Sequence, residues 1–288
     1  MGKRAGVAKA AALLAAARAA GAAAFMAGRR LWGRLQRDEH EYPSMFGQAE
    51  VFTMNTDDGT PVRVLYVGGG FQSATYLGRR RMEPVFEYYR GFDHMFDAGI
   101  PIERVLMLGG GGYSYPKHLL STTQSSPAID VVEIDPAIVD IARKHFFVDE
   151  LEREHGPQGS GRLRSFTQDG LDYLRQAPQG FYDVVINDSF GGADPTVALL
   201  TSGALCEARR CMVPGGLYLL NAVVPQDEPQ LLTTFMEVLL EGFDNVYAIS
   251  CFDEEFAGED NWLLVGTDGS YPFGGVEARL SRLRCKYR

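Results

Sequence analysis

Three acidic residues, Glu133, Asp169 and Asp188, each come at the end of a predicted strand. In an open α/β sheet, the residues that follow parallel strands line one crevice at the carboxyl edge of the sheet. A carboxylate in such a crevice can accept hydrogen bonds from hydroxyl or amino groups, or it can take a proton from a reacting nitrogen. The three acids therefore predict a binding or catalytic site, and helix capping is the alternative role for each of them.

Four glycines, Gly109 to Gly112, separate an apolar strand predicted at Val105 to Leu108 from a helix predicted to begin near Tyr115-Pro116. Glycine lacks a Cβ atom, so the chain can turn tightly there and a ligand can touch the backbone. A second apolar run, Ile129 to Val132, ends in Glu133, 24 residues after the first glycine. This order of strand, glycine loop, helix, strand and acid is typical of a nucleotide-binding α/β unit.

The glycine run does not complete the dinucleotide-binding fingerprint, because Ser114 stands where its last glycine would be. No P-loop lysine follows the glycines either. The pattern therefore favours a nucleoside ligand without a diphosphate, of the S-adenosylmethionine type. A glycine-rich turn that binds nothing is the alternative.

The composition is that of a globular protein, with 45% hydrophobic and 23% charged residues and a net charge of −9. Residues 1–37 carry eight Lys and Arg and no acid, whereas the remainder carries 20 basic and 37 acidic residues. An acidic body disfavours nucleic acid and suits a cationic substrate, although acidity can also serve solubility alone. The four cysteines show neither metal-site spacing nor a disulfide framework, so we expect no metal and a reducing, cytoplasmic location.

Residues 5–28 are rich in alanine, which favours a helix. Arg18 interrupts this stretch, and no uninterrupted apolar run long enough to span a membrane is present. We expect residues 1–40 to form a basic arm that is helical or disordered. An export signal and attachment to a membrane surface are the alternatives.

The remaining chain divides into two predicted parts. Residues 41–82 contain short strands and a turn at Asp58-Gly59, and they predict a small antiparallel β unit. Residues 83–288 alternate strands and helices, which indicates a doubly wound α/β sheet. Residues 149–161 are polar and rich in glycine, so we expect a loop there.

The order of several motifs resembles the spermidine/spermine synthases, a family of aminopropyltransferases, and most of all its divergent bacterial members. The resemblance covers about residues 42–266. Besides the glycine loop, the matching segments are Phe71-Gln72-Ser73, Tyr88, His94, Val131 to Pro136, Gln168 to Gly170, Tyr182 to Ser189, Leu199 to Leu205 and Val213 to Asn221. The resemblance implies a class I methyltransferase-like Rossmann sheet behind the small N-terminal antiparallel β unit, and a homodimer.

The same resemblance implies the site residues and the co-substrate. Gln72 would help to position the nucleoside of decarboxylated S-adenosylmethionine, Glu133 would hold its ribose, and Asp169 with Gly170 would hold its adenine. Asp188 would be the base that takes a proton from the attacking amine. The residues implied in nucleoside binding are Gln72, Gly109, Gly110, Gly111, Glu133, Asp169 and Gly170.

The sequence departs from the family pattern on the amine side of the site. The family has an aspartate where Gly112 stands, a second aspartate where Gly191 stands, and a glutamate where Arg90 stands. Asp194-Pro195 restores an Asp-Pro pair only with a shift of three residues. The nucleoside half of the site is thus largely intact, whereas the amine half is depleted of carboxylates.

Three functions are compatible with this pattern. The first is an aminopropyltransferase that acts on a small-molecule amine, which need not be putrescine. The second is a methyltransferase that uses S-adenosylmethionine, because the missing acid at Gly112 would leave room for the carboxylate of that donor. The third is a homologue that binds a nucleoside without catalysis.

Overall fold

The computed structural model describes residues 39–56, 58–122, 127–191, 194–195, 197–251 and 259–282. Apart from its last two residues, the predicted N-terminal arm lies outside these ranges. Among the helices of the described ranges, none is both long enough and apolar enough to cross a membrane.

The N-terminal part is a four-stranded antiparallel sheet in the order β1-β2-β3-β4. Its strands are β1 (His40–Ser44), β2 (Gly47–Asn55), β3 (Pro61–Val67) and β4 (Gly70–Tyr76). The small antiparallel β unit predicted from the sequence is therefore present, and Gln72 lies within its last strand.

The main sheet has eight strands in the order β14-β12-β13-β11-β8-β5-β6-β7. The strands after the N-terminal sheet are β5 (Arg104–Leu108), β6 (Ala128–Glu133), β7 (Leu163–Thr167), β8 (Tyr182–Asn187), the two-residue pair β9 (Phe190–Gly191) and β10 (Asp194–Pro195), β11 (Met212–Pro225), β12 (Asn245–Ser250), β13 (Glu259–Thr267) and β14 (Val276–Ser281). Strands β7, β6, β5, β8 and β11 are parallel, and β13 runs antiparallel to β11. The strand order reverses between β5 and β8, and ligands of such sheets bind outside the carboxyl ends of the strands at this reversal.

Within the described residues, seven helices accompany the strands. They are α1 (Tyr88–Gly91), α2 (Ser114–Thr122), α3 (Pro136–His145), α4 (Val148–His155), α5 (Gly170–Gln176), α6 (Ser202–Cys211) and α7 (Gln230–Leu239), and 3₁₀ turns occupy Gly78–Arg80, Phe92–Ala98 and Val197–Leu200. Alternate residues of β5 belong to different cores: Val105 and Met107 pack with α1 to α4, whereas Leu106 and Leu108 pack with α5 to α7. Strand β5 is therefore buried on both faces of the sheet, which is why it is a continuous apolar run.

The N-terminal sheet packs against α3. Val51 and Leu65 form a buried cluster with Ile138 and Ile141 of that helix. Lys117 of α2 adds a polar tie, because its fully buried Nζ donates to Thr75 Oγ1 of β4 at 2.9 Å and to the carbonyl oxygen of Phe146 at 3.3 Å. Burial lowers the pKa of Lys117 to about 7.

The structure corrects the prediction of a loop over residues 149–161, because α4 occupies Val148–His155. The buried residues of this helix, Val148, Leu151 and His155, recur at helical spacing, and acidic and basic residues between them face solvent. After β8, the described part of the chain contains the short antiparallel β9–β10 pair.

Candidate active site

The ends of β5 and β8 touch at the reversal of strand order. The amide of Asp188 donates to the carbonyl oxygen of Leu108 at 2.9 Å, and Gly109 N donates to Val132 O at 2.9 Å. Gly109 has a φ of +94°, and a Cβ atom there would lie 2.4 Å from the carbonyl oxygen of Asp188. Only glycine fits at this position, so the glycine loop begins in direct contact with Asp188.

Glu133 is fixed beneath the glycine loop by three backbone amides. Its Oε2 accepts hydrogen bonds from Gly110 N at 2.9 Å and Gly111 N at 3.1 Å, and its Oε1 accepts from Asp135 N at 3.0 Å. The residue is buried, with 8% of its surface exposed. The amides compensate the negative charge and orient the carboxylate at the carboxyl end of β6.

Asp188 lies at the carboxyl end of β8 in a different environment. The residue is half-buried, its Oδ1 accepts from Asn221 Nδ2 at 2.9 Å, and its Oδ2 accepts from the hydroxyl of Tyr88 at 3.4 Å. Burial raises the pKa of Asp188 to about 7, although the two hydrogen bonds act in the opposite direction. Both donors are neutral, so the charged form of this carboxylate has no cationic partner among these contacts.

Asp169 and Gly170 lie at the end of β7 and the start of α5. Asp169 is exposed, and its side chain caps the helix by accepting a hydrogen bond from Asp172 N at 2.9 Å. The capping role considered from the sequence is therefore present. The amide of Gln168 donates to the carbonyl oxygen of Glu133 at 3.0 Å, which joins the end of β7 to the end of β6.

Gln72 reaches the site from the N-terminal sheet. Its carbonyl oxygen accepts a hydrogen bond from the hydroxyl of Tyr89 at 3.5 Å. The same oxygen would lie 3.5 Å from a Cβ atom at Gly111. The backbone of β4 thus packs on the glycine loop, and it brings the FQS motif to the same edge as Asp188.

Positions where the family pattern has acids are occupied differently. A Cβ atom at Gly112 would lie 2.6 Å from Ser73 Oγ and 2.8 Å from Phe146 Cδ1, so this glycine is enclosed and leaves no opening for a ligand group. Arg90 is exposed, and its Nε lies 3.1 Å from Glu87 Oε2. Gly191 of β9 is the register partner of Asp194 in β10, which places the shifted Asp-Pro backbone directly opposite the glycine.

Asn221 and Tyr88 contact Asp188 in the structure, and neither contact was expected from the sequence. The sequence contains a signal for Asn221, because the parallel register pairs Leu220 with Asn187 and so brings the next residue level with Asp188. Tyr88 has no such signal, since it lies 100 residues earlier in the chain. Asn187 shapes the loop after β8, because its Oδ1 accepts from Ser189 Oγ at 2.6 Å.

Comparisons with known proteins agree with this arrangement of strands. A model of the spermine/spermidine synthase domain matches residues 86–251, which is more than half of the chain. A polyamine aminopropyltransferase of Prochlorococcus marinus (strain NATL1A) is 26% identical over 144 residues, which make up 50% of this chain and 48% of that protein. Spermine synthase of Arabidopsis thaliana is 27% identical over 168 residues, 58% of this chain and 45% of that protein. The chain thus spans about half the length of the curated relatives it matches.

Solved structures share the fold at low sequence identity. A probable spermidine synthase from Corynebacterium glutamicum superposes with a TM-score of 0.61 at 19% identity, covering 81% of each chain. Spermidine synthase from Thermotoga maritima gives a TM-score of 0.60 at 18% identity, covering 81% of this chain and 73% of its own. The class I methyltransferase-like sheet with its N-terminal antiparallel sheet is therefore confirmed, and the chain belongs to the spermine/spermidine synthase domain family.

Proposed function

We propose that the protein is an aminopropyltransferase that moves an aminopropyl group from decarboxylated S-adenosylmethionine to a small amine. The observation that carries this proposal is the setting of Asp188. It lies against the glycine loop at the reversal of strand order, two neutral donors hold it, and burial raises its pKa to about 7.

The raised pKa suits a base for an alkylammonium. Such an ammonium has a pKa of about 10, like that of lysine, whereas an ordinary aspartate has a pKa of about 4. A pKa of about 7 for Asp188 halves this gap, so proton transfer to its carboxylate costs less than it would at a solvated aspartate. Asn221 and Tyr88 hold the two carboxylate oxygens, so the base keeps one orientation.

The proposed step conserves atoms and charge. The acceptor loses a proton to Asp188, and its nitrogen lone pair then forms a bond to the aminopropyl carbon next to the sulfonium. The carbon–sulfur bond breaks, and the sulfur keeps the electron pair, which leaves neutral methylthioadenosine and the alkylated amine in its ammonium form. Asp188 then releases its proton to water and is ready for the next turnover. The sulfonium is already an activated leaving group, so much of the rate would come from positioning the two reactants.

The nucleoside half supports the same proposal. Gly109, Gly110 and Gly111 turn over the fixed carboxylate of Glu133, and Gln72 reaches the loop through β4. Glu133 Oε1 accepts only one of the three amides, which leaves acceptor capacity for a ribose hydroxyl. Asp169 retains a second carboxylate oxygen for an adenine amino group, with Gly170 beside it.

The structure offers no observation that favours a methyltransferase. A methyltransferase would need an opening for the donor carboxylate at Gly112, and this glycine is enclosed by Ser73 and Phe146. The absence of a metal, the cytoplasmic location and the homodimer stay predictions.

Mass spectrometry of the products tests the proposal. The purified protein is incubated separately with decarboxylated S-adenosylmethionine and with S-adenosylmethionine, each with a panel of monoamines and polyamines. We expect methylthioadenosine together with an amine enlarged by one aminopropyl group. S-adenosylhomocysteine with a methylated product would assign the protein to the methyltransferases, and nucleoside binding without any product would favour a non-catalytic homologue.

A further inference from the structure

A chain of hydrogen bonds joins the turn between β1 and β2 to the glycine loop. The backbone amide of Met45 donates to Asp135 Oδ2 at 2.7 Å, across 90 residues of sequence. The amide of Asp135 donates to Glu133 Oε1 at 3.0 Å. Glu133 Oε2 in turn accepts from Gly110 and Gly111. The N-terminal sheet is thus linked through two carboxylates to the loop at the proposed nucleoside site.

Asp135 does more than cap α3. A helix N-cap uses one side-chain oxygen, and here Oδ1 accepts from Ala137 N at 2.9 Å in that role. The second oxygen is left to hold Met45 N. The residue is buried, with 1% of its surface exposed. Loss of either donor would leave a buried carboxylate oxygen without compensation, which is more costly than loss of a solvated hydrogen bond.

The turn is held against α3 only in part by apolar contacts. Phe46 packs against the cluster that contains Ile138 and Ile141, whereas the side chain of Met45 is 60% exposed. At the other end of the helix, the hydroxyl of Tyr42 lies 2.7 Å from His145 Nε2. The hydrogen bond from Met45 N to Asp135 is therefore the contact that links the β1–β2 turn to the proposed nucleoside site. A substitution that removes the backbone N–H of Met45 would break this hydrogen bond and leave the apolar contacts in place.

We propose that Asp135 is a positioning residue that couples docking of the β1–β2 turn to nucleoside binding at Glu133 and the glycine loop. The proposal rests on the proposed nucleoside site. By reciprocity, a nucleoside that tightens the hydrogen bonds of Glu133 also tightens the turn, and a docked turn strengthens nucleoside binding by the same factor.

The first test needs no ligand. Met45→Pro removes the backbone donor and leaves Asp135 intact, and Met45→Ala is the matched control that keeps the donor and removes only the exposed side chain. Hydrogen exchange is followed at the amides of Gly110 and Gly111. We expect exchange about tenfold faster in Met45→Pro than in Met45→Ala, the scale of one hydrogen bond to a charged group. Equal exchange in the two variants would overturn the coupling.

The second test uses the unaltered protein with 5′-methylthioadenosine as the probe. We expect the probe to slow exchange of the Met45 and Phe46 amides, a response that a purely structural cap would not show. We also expect the dissociation constant of the probe to be about tenfold higher for Met45→Pro than for Met45→Ala. The Met45→Ala control should bind the probe as the unaltered protein does. Unchanged turn exchange on saturation would overturn the proposal while the nucleoside site stands. Failure of the unaltered protein to bind the probe would instead overturn the proposed function, and the nucleoside part of this proposal with it.

Discussion

Glu133 lies at the carboxyl end of β6 and Asp188 at the carboxyl end of β8, in the same sheet. The surroundings of the two side chains nevertheless differ. Three backbone amides donate to Glu133. Two neutral side chains donate to Asp188, and one of those contacts is long, at 3.4 Å. Burial raises the pKa of Asp188 to about 7. The fold therefore stabilises the charge of one acid and leaves the charge of the other costly.

This difference separates a binding group from a reacting group. A carboxylate whose charge is compensated by fixed amides is a stable acceptor for hydroxyl groups, and it takes part in holding the loop above it. A carboxylate whose charge is poorly compensated gains more from a proton, which is what a base for an ammonium requires. Substitution of Asp188 should therefore stabilise the protein and lower turnover, whereas substitution of Glu133 should destabilise the protein and weaken nucleoside binding.

The largest effect is expected for Asp188→Asn. An amide cannot accept the proton from the amine, so we expect kcat to fall by about 100-fold to 10,000-fold, the range of general base catalysis. Initial rates of methylthioadenosine formation measure this. Asp172→Asn is the control, because Asp172 is exposed on α5 and pairs only with Arg175. Full turnover by Asp188→Asn would show that the base is another group.

The same variant should be more stable than the wild type above neutral pH. Because the folded-state pKa of Asp188 is raised, the folded protein holds this proton between about pH 4 and pH 7, where the unfolded chain has lost it. Stability from this group is therefore lost as the pH rises through about 7. We expect Asp188→Asn to be stabilised by about 1 to 2 kcal/mol at pH 8, measured by urea unfolding, and to show no gain at pH 4.

Glu133→Gln should instead lower the stability of the protein. Glutamine has one acceptor oxygen instead of two, so at least one of the three amide hydrogen bonds is lost and the remaining ones go to a neutral acceptor. We expect a loss of about 2 to 3 kcal/mol in the free energy of unfolding. Calorimetry should show binding of methylthioadenosine weakened by about tenfold or more. A variant with unchanged stability would contradict the role of Glu133 in holding Gly110 and Gly111.

Gly112→Ala tests whether the amine side is closed at this position. The added methyl group would approach Ser73 and Phe146 within 3.0 Å, so we expect destabilisation of about 1 to 3 kcal/mol from overpacking. Gly203→Ala is the matched control, because a Cβ atom there meets nothing within 4 Å and the position is helical. Thermal unfolding compares the two. A tolerated alanine at 112 would mean that the family aspartate could be restored.

The smallest effect is expected for Asn221→Ala. Its hydrogen bond lowers the pKa of Asp188 against the effect of burial, so its removal should raise that pKa further. We expect the wild-type kcat to rise with pH through a midpoint near 7, and the midpoint in the variant to move upward by about half a unit to one unit. A midpoint that does not move would indicate that Asp188 does not govern the profile.

The central unit of the fold was predictable because its signals are local. The apolar strands β5 and β6 and the glycines between them follow from residue type and spacing. Strand β14 was missed, because its alternation is only of exposed and partly exposed residues at a sheet edge. The pair of donors on Asp188 was missed for another reason, since Tyr88 approaches it only through tertiary packing and Asn221 only through the register of β8 and β11.

Gly109 restricts the substitutions that this protein can accept during evolution. Any side chain there would force the ends of β5 and β8 apart, so a library of random variants should contain almost no functional substitution at this position. Arg90 and Glu87 are exposed on or beside α1, close to Tyr88, and they can vary at little cost to the fold. Changes in the proposed amine preference would thus arise on the α1 side of the site, while the close contact between the glycine loop and Asp188 stays the same.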